Sequence, residues 1–155
     1  MKKSTIFIGA DHRGFALKAR IIAFLRARGQ ETVDVGTYVP EPPCDYPKLS
    51  LEVGENVARH KNSLGILVCM TGIGHSIAAN KVRGVYAALC YNREAAQLSR
   101  QHNNANVLVL GAKFVSEKEM FGIIDVWLSS KFEGGRHLRR VKQIKKIENM
   151  TSCRE

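Results

Sequence analysis

A cysteine, a threonine and a histidine lie close together in one segment, Cys69-Met70-Thr71-Gly72-Ile73-Gly74-His75-Ser76, which we call the Cys69 loop. The apolar run before it, Leu64 to Cys69, predicts a buried strand, and we expect a helix to begin near Ile77. Free backbone N–H groups and the helix dipole favour negative charge at such a place. The segment therefore predicts a reactive thiolate or an anion-binding site.

The other residues of the Cys69 loop carry more than one interpretation. A buried cysteine is more often a small apolar core residue than a reactive one, but Cys69 directly precedes a Thr-Gly-x-Gly sequence. Gly72 and Gly74 allow the backbone to approach a ligand closely. Ser76 can cap the helix or donate to an oxyanion. His75 is either a second acid or base or only a polar residue near an exposed helix start, and both remain open.

An acid, an imidazole and a guanidinium share one turn after the first predicted strand, as Asp11, His12 and Arg13. Asp11 is equally compatible with a helix cap, in which its carboxylate accepts from backbone N–H groups, and with a catalytic role. His12 and Arg13 together favour binding of a phosphate or of sugar hydroxyls.

Two later loops carry further candidates. Asp45 and Tyr46 lie in a proline-rich connection, where plain turn residues are equally expected. His102 beside Asn103 is suited to acid or base chemistry near neutral pH. A surface histidine in a turn is nevertheless the more common case.

The formal net charge of +10 is concentrated at the two ends of the chain. Residues 1–30 carry seven Lys and Arg against one acid, and residues 131–155 carry eight against three. A solvated basic surface explains this excess, and no nucleic-acid-binding motif accompanies it. Arg136 and Arg140 lie four residues apart on one face of a predicted helix. They could clamp a phosphate, although composition alone favours a solvated helix.

The cysteine pattern limits the expected cellular location and the expected cofactors. Cys44, Cys69, Cys90 and Cys153 have no CxxC spacing and no histidine pairs at zinc-ligand intervals. We therefore expect neither a metal nor a disulfide framework. No apolar segment approaches the roughly 20 residues of a membrane span, and Asp11 ends the first apolar run too early for a signal peptide. A soluble cytoplasmic protein is predicted.

Short apolar runs alternate with helical patterns along the chain. The predicted strands are Thr5 to Gly9, Thr32 to Val35, Leu64 to Cys69, Tyr86 to Cys90 and Val107 to Gly111. The predicted helices are Phe15 to Arg28, Leu49 to His60, Ile77 to Val82, Arg93 to Gln101, one from Ser116, and Arg136 to Asn149. This alternation predicts a single domain over residues 1–155, a three-layer α/β/α Rossmann-like fold with a five-stranded parallel sheet. All four prolines fall between Gly36 and Pro47, which predicts an irregular loop there.

With these motifs in this order, the chain resembles the type B ribose-5-phosphate isomerases of the ribose/galactose isomerase family. The resemblance rests on Gly9 to Gly14, Asp45 to Pro47, Cys69 with Thr71 to Gly74, Ser76 to Lys81, Gln97 to Asn103 and Glu133 to His137. It covers nearly the whole chain. It implies interconversion of ribose 5-phosphate and ribulose 5-phosphate through a cis-enediolate, with no metal or cofactor.

The resemblance also assigns roles to residues. Cys69 would move the proton between C2 and C1 with support from Thr71, and His102, with Asp11 nearby, would open the furanose ring. Asn103 would hold hydroxyls. The enediolate would be stabilised by an oxyanion hole of backbone N–H groups, those of Met70, Gly72, Ile73, Gly74 and Ser76. The remaining substrate contacts would come from His12, Asp45, Tyr46, Arg136 and Arg140, of which His12 and the two arginines would bind the phosphate.

In this family the site lies between two subunits, with Cys69 and His102 on different chains. The resemblance therefore implies a homodimer, with the helix at about 134–150 reaching the partner. Two positions depart from the family pattern, because Met70 replaces a usual glycine and His75 stands where the branch lacking the cysteine has a glutamate base. We expect Cys69 to remain the base and His75 to modulate its thiolate. A helix terminus should lower the pKa of the thiol, and about one unit or more of lowering would give a useful thiolate fraction at neutral pH.

Other functions are compatible with some of these sequence features. Galactose-6-phosphate and allose-6-phosphate isomerases share the family, and the retained Cys69 and His102 favour ribose 5-phosphate. Cysteine-dependent phosphatases also place a cysteine between a strand and a helix, but they need an arginine six positions later, and that position is His75. A nucleic-acid-binding module would rest on charge alone.

Overall fold

The structure is a computed structural model that describes residues 4–39, 42 and 44–151. The predictions that concern Pro40, Pro43 and Cys153 lie outside the described residues. Within the described part, five parallel strands form one sheet in the order β2-β1-β3-β5-β4. The strands are β1 (Thr5–Ala10), β2 (Glu31–Gly36), β3 (Leu64–Cys69), β4 (Ala87–Leu89) and β5 (Val107–Gly111). The helices are α1 (Phe15–Ala27), α2 (Tyr46–Arg59), α3 (Ile73–Ala79), α4 (Arg93–Asn103), α5 (Glu117–Ser129) and α6 (Gly135–Thr151).

Both faces of the sheet are buried, which explains why the central strands are almost continuously apolar. On one face, residues of β1, β3 and β5 pack with α1 and α5 around the fully buried Trp127. On the other face, Phe7, Leu67 and Val109 pack with Val53 of α2 and Ala79 of α3. The predicted three-layer α/β/α fold with a five-stranded parallel sheet is confirmed.

Two helices begin three or four residues earlier than the sequence predicted, and both shifts concern the site. The helix α2 starts at Tyr46 rather than Leu49, because Pro47 lies in its first turn, where a missing backbone N–H costs nothing. The irregular loop therefore ends at Asp45. The helix α3 starts at Ile73 rather than Ile77, after Gly72 turns the chain in the left-handed region at φ 83°. Ser76 lies inside α3 and does not cap it.

A buried lysine anchors the connection that follows β2. Lys18 of α1 is almost fully buried, and its ammonium group donates to Asp34 of β2 and to the carbonyl oxygen of Thr37. The Thr37 hydroxyl in turn lies 2.7 Å from the Cys44 sulfur. A buried ammonium that loses its carboxylate is costly, so this pairing fixes the position of Thr37 directly after β2.

The last helix, α6, contacts its own protomer and also leaves apolar side chains uncovered. The Gly84 amide donates to Glu148 at 2.7 Å, and Arg83 donates to Asn149. Four apolar side chains on α6 are 42–62% exposed: Leu138, Ile144, Ile147 and Met150. That α6 reaches a partner stays a prediction. Over the described residues, none of the helices combines the length and apolar character needed to cross a bilayer.

Candidate active site

A pocket of about 340 Å³ opens at the carboxyl ends of β1 and β3. Eight of the predicted site residues line it: Asp11, His12, Asp45, Tyr46, Cys69, Met70, Thr71 and Gly74. Two further lining residues are Arg13 and Cys44. Ligands of open α/β sheets bind at this edge, so the strand order places the pocket where the topology predicts it.

Cys69 is the last residue of β3, and its side chain is buried. The Gly72 amide donates to Cys69 Sγ at 3.0 Å, because the left-handed Gly72 turns its N–H back toward the strand end. Burial nevertheless raises the pKa of the Cys69 thiol, against the lowering effect of the Gly72 and Thr71 backbone contacts, and the Asp11 carboxylate raises it further. The prediction of a lowered thiol pKa was therefore wrong, since desolvation outweighs the backbone donors.

Residues that follow β4 and β5 donate hydrogen bonds to the backbone of the Cys69 loop. The Ala112 amide donates to the Cys69 carbonyl at 2.9 Å, and the Lys113 amide donates to the Met70 carbonyl at 2.8 Å. The Tyr91 hydroxyl donates to the Thr71 carbonyl at 3.0 Å. These three bonds fix the carbonyl groups of the loop and so fix the plane of each following amide. No pattern in the sequence indicates this contact of Tyr91.

Asp11 accepts from backbone N–H groups, as the capping interpretation predicted, although Gly14 is the N-cap residue of α1. That Asp11 also takes part in catalysis stays a prediction. Its Oδ1 accepts from the Arg13 and Gly14 amides at 3.1 and 3.0 Å, which is a turn-stabilising role. The same side chain lines the pocket beside Cys69. His12 Nδ1 is buried without a hydrogen-bond partner among the described residues. Arg13 donates to Met70 Sδ at 3.2 Å, so the unusual methionine contacts a cation at the pocket rim.

His75 is fully buried in α3 and does not lie at an exposed helix start. Its Nδ1 lies 2.7 Å from the Ser50 hydroxyl of α2. Burial lowers the pKa of His75 to about 4, so its ring is neutral near pH 7. A charged imidazolium is therefore not present beside Cys69 at neutral pH. Ser50 lies 25 residues away in the chain, and no local pattern predicts the pairing.

Tyr46 connects the proline-rich segment to the Cys69 loop. Its ring packs against Gly74 so closely that a Cβ at that position would lie 2.6 Å from the ring. The ring also makes an edge contact with His75, with centroids 5.6 Å apart. Asp45 occupies the N-cap position of α2 but makes no side-chain capping bond there. Asp45 therefore lines the pocket without the capping role.

Four other predicted residues lie in a second group, around the end of α4 and the start of α6: His102, Asn103, Arg136 and Arg140. The rings of His102 and His137 are stacked with centroids 4.1 Å apart, and Glu133 Oε2 lies 3.9 and 3.8 Å from their Nε2 atoms. Arg136 Nε lies 3.4 Å from His137 Nε2. Burial lowers the pKa of His137, as do His102, Arg136 and Arg140 nearby, while Glu133 opposes them.

None of the residues in this second group lines the Cys69 pocket of the same protomer. His102 lies in the last turn of α4 rather than in a free turn. Asn103, the last residue of α4, lines a separate hollow with Asn80 and Ser99. Sequence reasoning missed His137 and Glu133 as members of the group. Their spacing of four residues at the start of α6 is the signal that could have selected them.

Fold and pocket together define an α/β protein with a buried thiol at the carboxyl edge of a parallel sheet. The Ribose/Galactose Isomerase family model matches residues 6–144. Ribose-5-phosphate isomerase B of Escherichia coli (strain K12) is 47% identical over 148 residues, which is 96% of this chain and 97% of that protein. The chain belongs to the ribose/galactose isomerase family, and the predicted family is confirmed.

Solved structures agree with this placement. Ribose-5-phosphate isomerase B of Clostridium thermocellum is 46% identical and superimposes with a TM-score of 0.92, over 95% of this chain and 99% of that chain. Ribose-5-phosphate isomerase B of Mycoplasma genitalium, solved with bound ribulose-5-phosphate, is 43% identical with a TM-score of 0.91. That match covers 94% of this chain and 96% of the other.

Proposed function

We propose that this protein is a ribose-5-phosphate isomerase, which interconverts D-ribose 5-phosphate and D-ribulose 5-phosphate in the non-oxidative pentose phosphate pathway. The observation that carries the proposal is Cys69 at the end of β3, with its sulfur held by the Gly72 amide in a pocket. The identity with relatives of that name over nearly the full chain supports it. The bound ribulose-5-phosphate in the Mycoplasma genitalium relative supports the substrate class.

Proton transfer is assigned to Cys69. The Cys69 thiolate removes the proton from C2 of the open-chain aldose and returns it to C1 of the cis-enediolate. The Gly72 N–H, which donates to Sγ, stabilises the thiolate before the first step and after the second, whereas the sulfur carries the proton between them. Thr71 lies in the same loop, where its hydroxyl accepts from the Ile73 amide at 3.3 Å. We assign it the supporting role of orienting the substrate oxygens.

The enediolate oxygen needs hydrogen-bond donors that the chain does not already use. The Gly72 amide donates to Cys69 Sγ, and the Ser76 amide donates to the Gly72 carbonyl at 3.0 Å. Neither is therefore a first choice for the oxyanion hole. Gly74 lies in the first turn of α3, where backbone N–H groups have no partner within the helix. We assign the oxyanion contact to this turn.

Ring opening and part of phosphate binding belong to the second group of residues. His102 would open the furanose ring, Asn103 would hold hydroxyls, and Arg136 and Arg140 would bind the phosphate together with His12. His12 lines the Cys69 pocket and the others do not. One substrate can meet all of them only if two copies of the chain combine their groups.

A homodimer is therefore part of the proposal. The exposed apolar side chains of α6, Leu138, Ile144, Ile147 and Met150, provide a surface that a second copy would cover. Arg136 and Arg140 lie on the same helix, so contact through α6 would carry them toward the other copy. We also propose that residues 1–155 form one isomerase domain, that the enzyme needs no cofactor, and that it acts in the cytoplasm.

Turnover on competing substrates tests this function. Purified protein should convert ribose 5-phosphate at least about tenfold more efficiently than galactose 6-phosphate or allose 6-phosphate, since a pocket fitted to five carbons discriminates by roughly 1–3 kcal/mol per added group. A preference for a hexose phosphate would overturn the substrate and leave the reaction type standing. Release of phosphate from an aryl phosphate would instead indicate a phosphatase.

A further inference from the structure

Three potential metal ligands converge from three separate elements beside the pocket. Asp11 follows β1, Cys69 ends β3, and His75 lies in α3. One carboxylate oxygen, the sulfur and one ring nitrogen of these residues all lie within 4.8 Å of one another. The sequence spacing gave no sign of this group, because the three residues are brought together by the parallel strand order.

All three side chains are buried, and one of their atoms has no partner. Asp11 is 9% exposed, Cys69 is 8% exposed and His75 is 0% exposed. His75 Nδ1 contacts Ser50, while His75 Nε2 is buried with no hydrogen-bond partner among the described residues. Buried polar atoms are nearly always satisfied in native proteins. An unpaired, buried nitrogen on the imidazole that belongs to this group therefore points to a ligand.

The hydrogen bonds of Ser50 indicate which ring nitrogen of His75 carries the free electron pair. The Ser50 hydroxyl donates its single proton to the Tyr46 carbonyl at 3.0 Å, so it accepts from His75 Nδ1. The proton of the neutral ring is then on Nδ1, and Nε2 carries the free electron pair. This is the tautomer that a metal-binding histidine needs, with the other nitrogen fixed by a hydrogen bond.

We propose that Asp11, Cys69 and His75 form a binding site for a thiophilic divalent cation of the Zn²⁺ class, and that this cation blocks the pocket reversibly. One thiolate, one imidazole and one carboxylate are a donor set that zinc accepts, with a fourth position open to water. A thiolate and an imidazole do not suit Mg²⁺ or Ca²⁺, which prefer oxygen donors. Asp11 and Cys69 line the pocket, which gives the cation a route of entry.

Binding releases one proton and leaves a balanced site. The Cys69 thiol loses its proton to solvent as the sulfur–metal bond forms, and the two negative ligands neutralise the dication. The Gly72 amide donates to the same sulfur and serves as an outer-shell donor to the bound thiolate. Asp11 Oδ1 stays with the Arg13 and Gly14 amides, which hold the carboxylate in place.

A second group in the chain provides an internal comparison. Atoms of His102, Glu133 and His137 also lie within 4.8 Å of one another. There the Glu133 side chain is half exposed, and Arg136 brings a cation to 3.4 Å from His137 Nε2. A positive guanidinium opposes a dication, so we expect the Asp11–Cys69–His75 group to bind first.

Titration with Co²⁺, a spectroscopic substitute for Zn²⁺, tests the site directly. The wild-type protein should show a thiolate-to-cobalt charge-transfer band at one equivalent per chain, and Zn²⁺ should displace it. Cys69→Ser should abolish the band, and His75→Ile should weaken Co²⁺ binding by at least about tenfold, as loss of a ligand exceeds the effect of an outer-shell change. The controls Cys44→Ser and Glu133→Gln should keep both band and stoichiometry.

Several outcomes would overturn the proposal. The absence of a band at one equivalent would show that the wild-type protein does not bind the cation through a thiolate. A band that survives in Cys69→Ser would show that the metal binds at another site. Loss of the band in Cys44→Ser or Glu133→Gln would likewise show that the metal binds outside the Asp11–Cys69–His75 group. Because His75→Ile alters a buried position, its fold is checked by near-ultraviolet circular dichroism, and the nearly isosteric Cys69→Ser carries the test if it fails.

That the bound cation inhibits turnover rests on the proposed function. Failure of the metal site and failure of the proposed function can be distinguished. Zn²⁺ should also protect Cys69 from alkylation, measured by mass spectrometry of its peptide, and a chelator should restore both alkylation and isomerase turnover. Metal binding with protection in a protein without isomerase activity would remove the proposed function and keep the site. An active isomerase whose Cys69 alkylates equally with and without Zn²⁺ would remove the site and keep the function.

Discussion

His75 Nδ1 lies 2.7 Å from the Ser50 hydroxyl oxygen, and this contact joins α3 to α2 next to the Cys69 loop. The serine also donates to the Tyr46 carbonyl, so a single hydroxyl links the start of α2 to a fully buried ring. Because the ring has little access to water, its charged form is disfavoured. The contact therefore makes His75 a neutral structural anchor at ordinary pH as well as a neighbour of Cys69.

Protonation of His75 should destabilise the folded protein in mild acid. The pKa of His75 is about 4 in the folded chain, below its ordinary value of 6.5, so the unfolded chain binds more protons between these values. The stability from this group is fully present above pH 6.5 and is lost as pH falls toward 4, by on the order of 3 kcal/mol. Urea unfolding at stepped pH should show this loss in wild type and a flatter curve in His75→Leu.

A change at an exposed histidine controls for this measurement. His60 is exposed at the C-cap position of α2 and does not line the Cys69 pocket. His60→Ala should keep the wild-type slope of stability against pH over the same range. Parallel curves for wild type and His75→Leu would contradict the role given to burial.

Isomerase turnover should rise with pH through a pKa above the ordinary thiol value. Burial and the Asp11 carboxylate raise the pKa of Cys69, and the base is active only as thiolate. Asp11→Asn removes the negative charge and keeps an oxygen for the Arg13 and Gly14 amides, so the profile of kcat/KM against pH should shift to lower pH. The measurement is initial rate over pH 6 to 10, a range of about four units around the reference thiol value.

Substitution of the base itself completes this test. Cys69→Ala should lower kcat by roughly 10²–10⁴-fold, the usual contribution of general acid–base catalysis. His75→Ala, which removes a neighbour of the sulfur, should cost less. If Cys69→Ala kept most of its turnover while His75→Ala abolished it, the base would be His75. An unchanged pH profile in Asp11→Asn would separately contradict the electrostatic coupling.

The sequence predicted the strand that carries Cys69 because an apolar run of that length leaves few alternatives for a buried segment. It placed the start of α3 four residues too late, because Gly72 begins that helix through a left-handed backbone conformation that composition alone does not reveal. The direction of the Cys69 pKa shift was also missed. Burial depends on how tightly distant segments close over the thiol, and here that cost exceeds the favourable backbone donors.

Contacts between distant segments were out of reach for the same reason. Ser50 and His75 meet only because α2 and α3 pack side by side, and Tyr91 reaches Thr71 across the end of the sheet. In contrast, the pocket residues that follow β1 and β3 could be grouped in advance. Parallel strands bring the loops after their carboxyl ends to one edge, so strand assignment alone was enough.

Gly74 and Tyr46 should be coupled in stability and in activity. A Cβ at position 74 would lie 2.6 Å from the Tyr46 ring, so Gly74→Ala must displace the ring or the start of α3. We expect Gly74→Ala to destabilise the chain by about 1–3 kcal/mol, as overpacking does, and to raise KM. In a double-mutant cycle, Tyr46→Ala should relieve most of this stability cost. Additive effects of the two changes would contradict the contact.

Complementation between two inactive variants should reveal whether the site is shared. Cys69→Ala and His102→Ala each remove one of two groups that no single protomer brings into one pocket. If each site takes Cys69 from one copy and His102 from the other, a mixed dimer contains one intact site and one doubly defective site. Mixing equal amounts after dissociation and reassociation should therefore restore about a quarter of wild-type activity, since about half of the dimers are mixed and each has one of two sites.

As a control, the double variant Cys69→Ala/His102→Ala mixed with wild type should yield mixed dimers without any gain over dilution. No recovery in the first mixture, with mixed dimers verified by native mass spectrometry, would place both groups in one protomer's site.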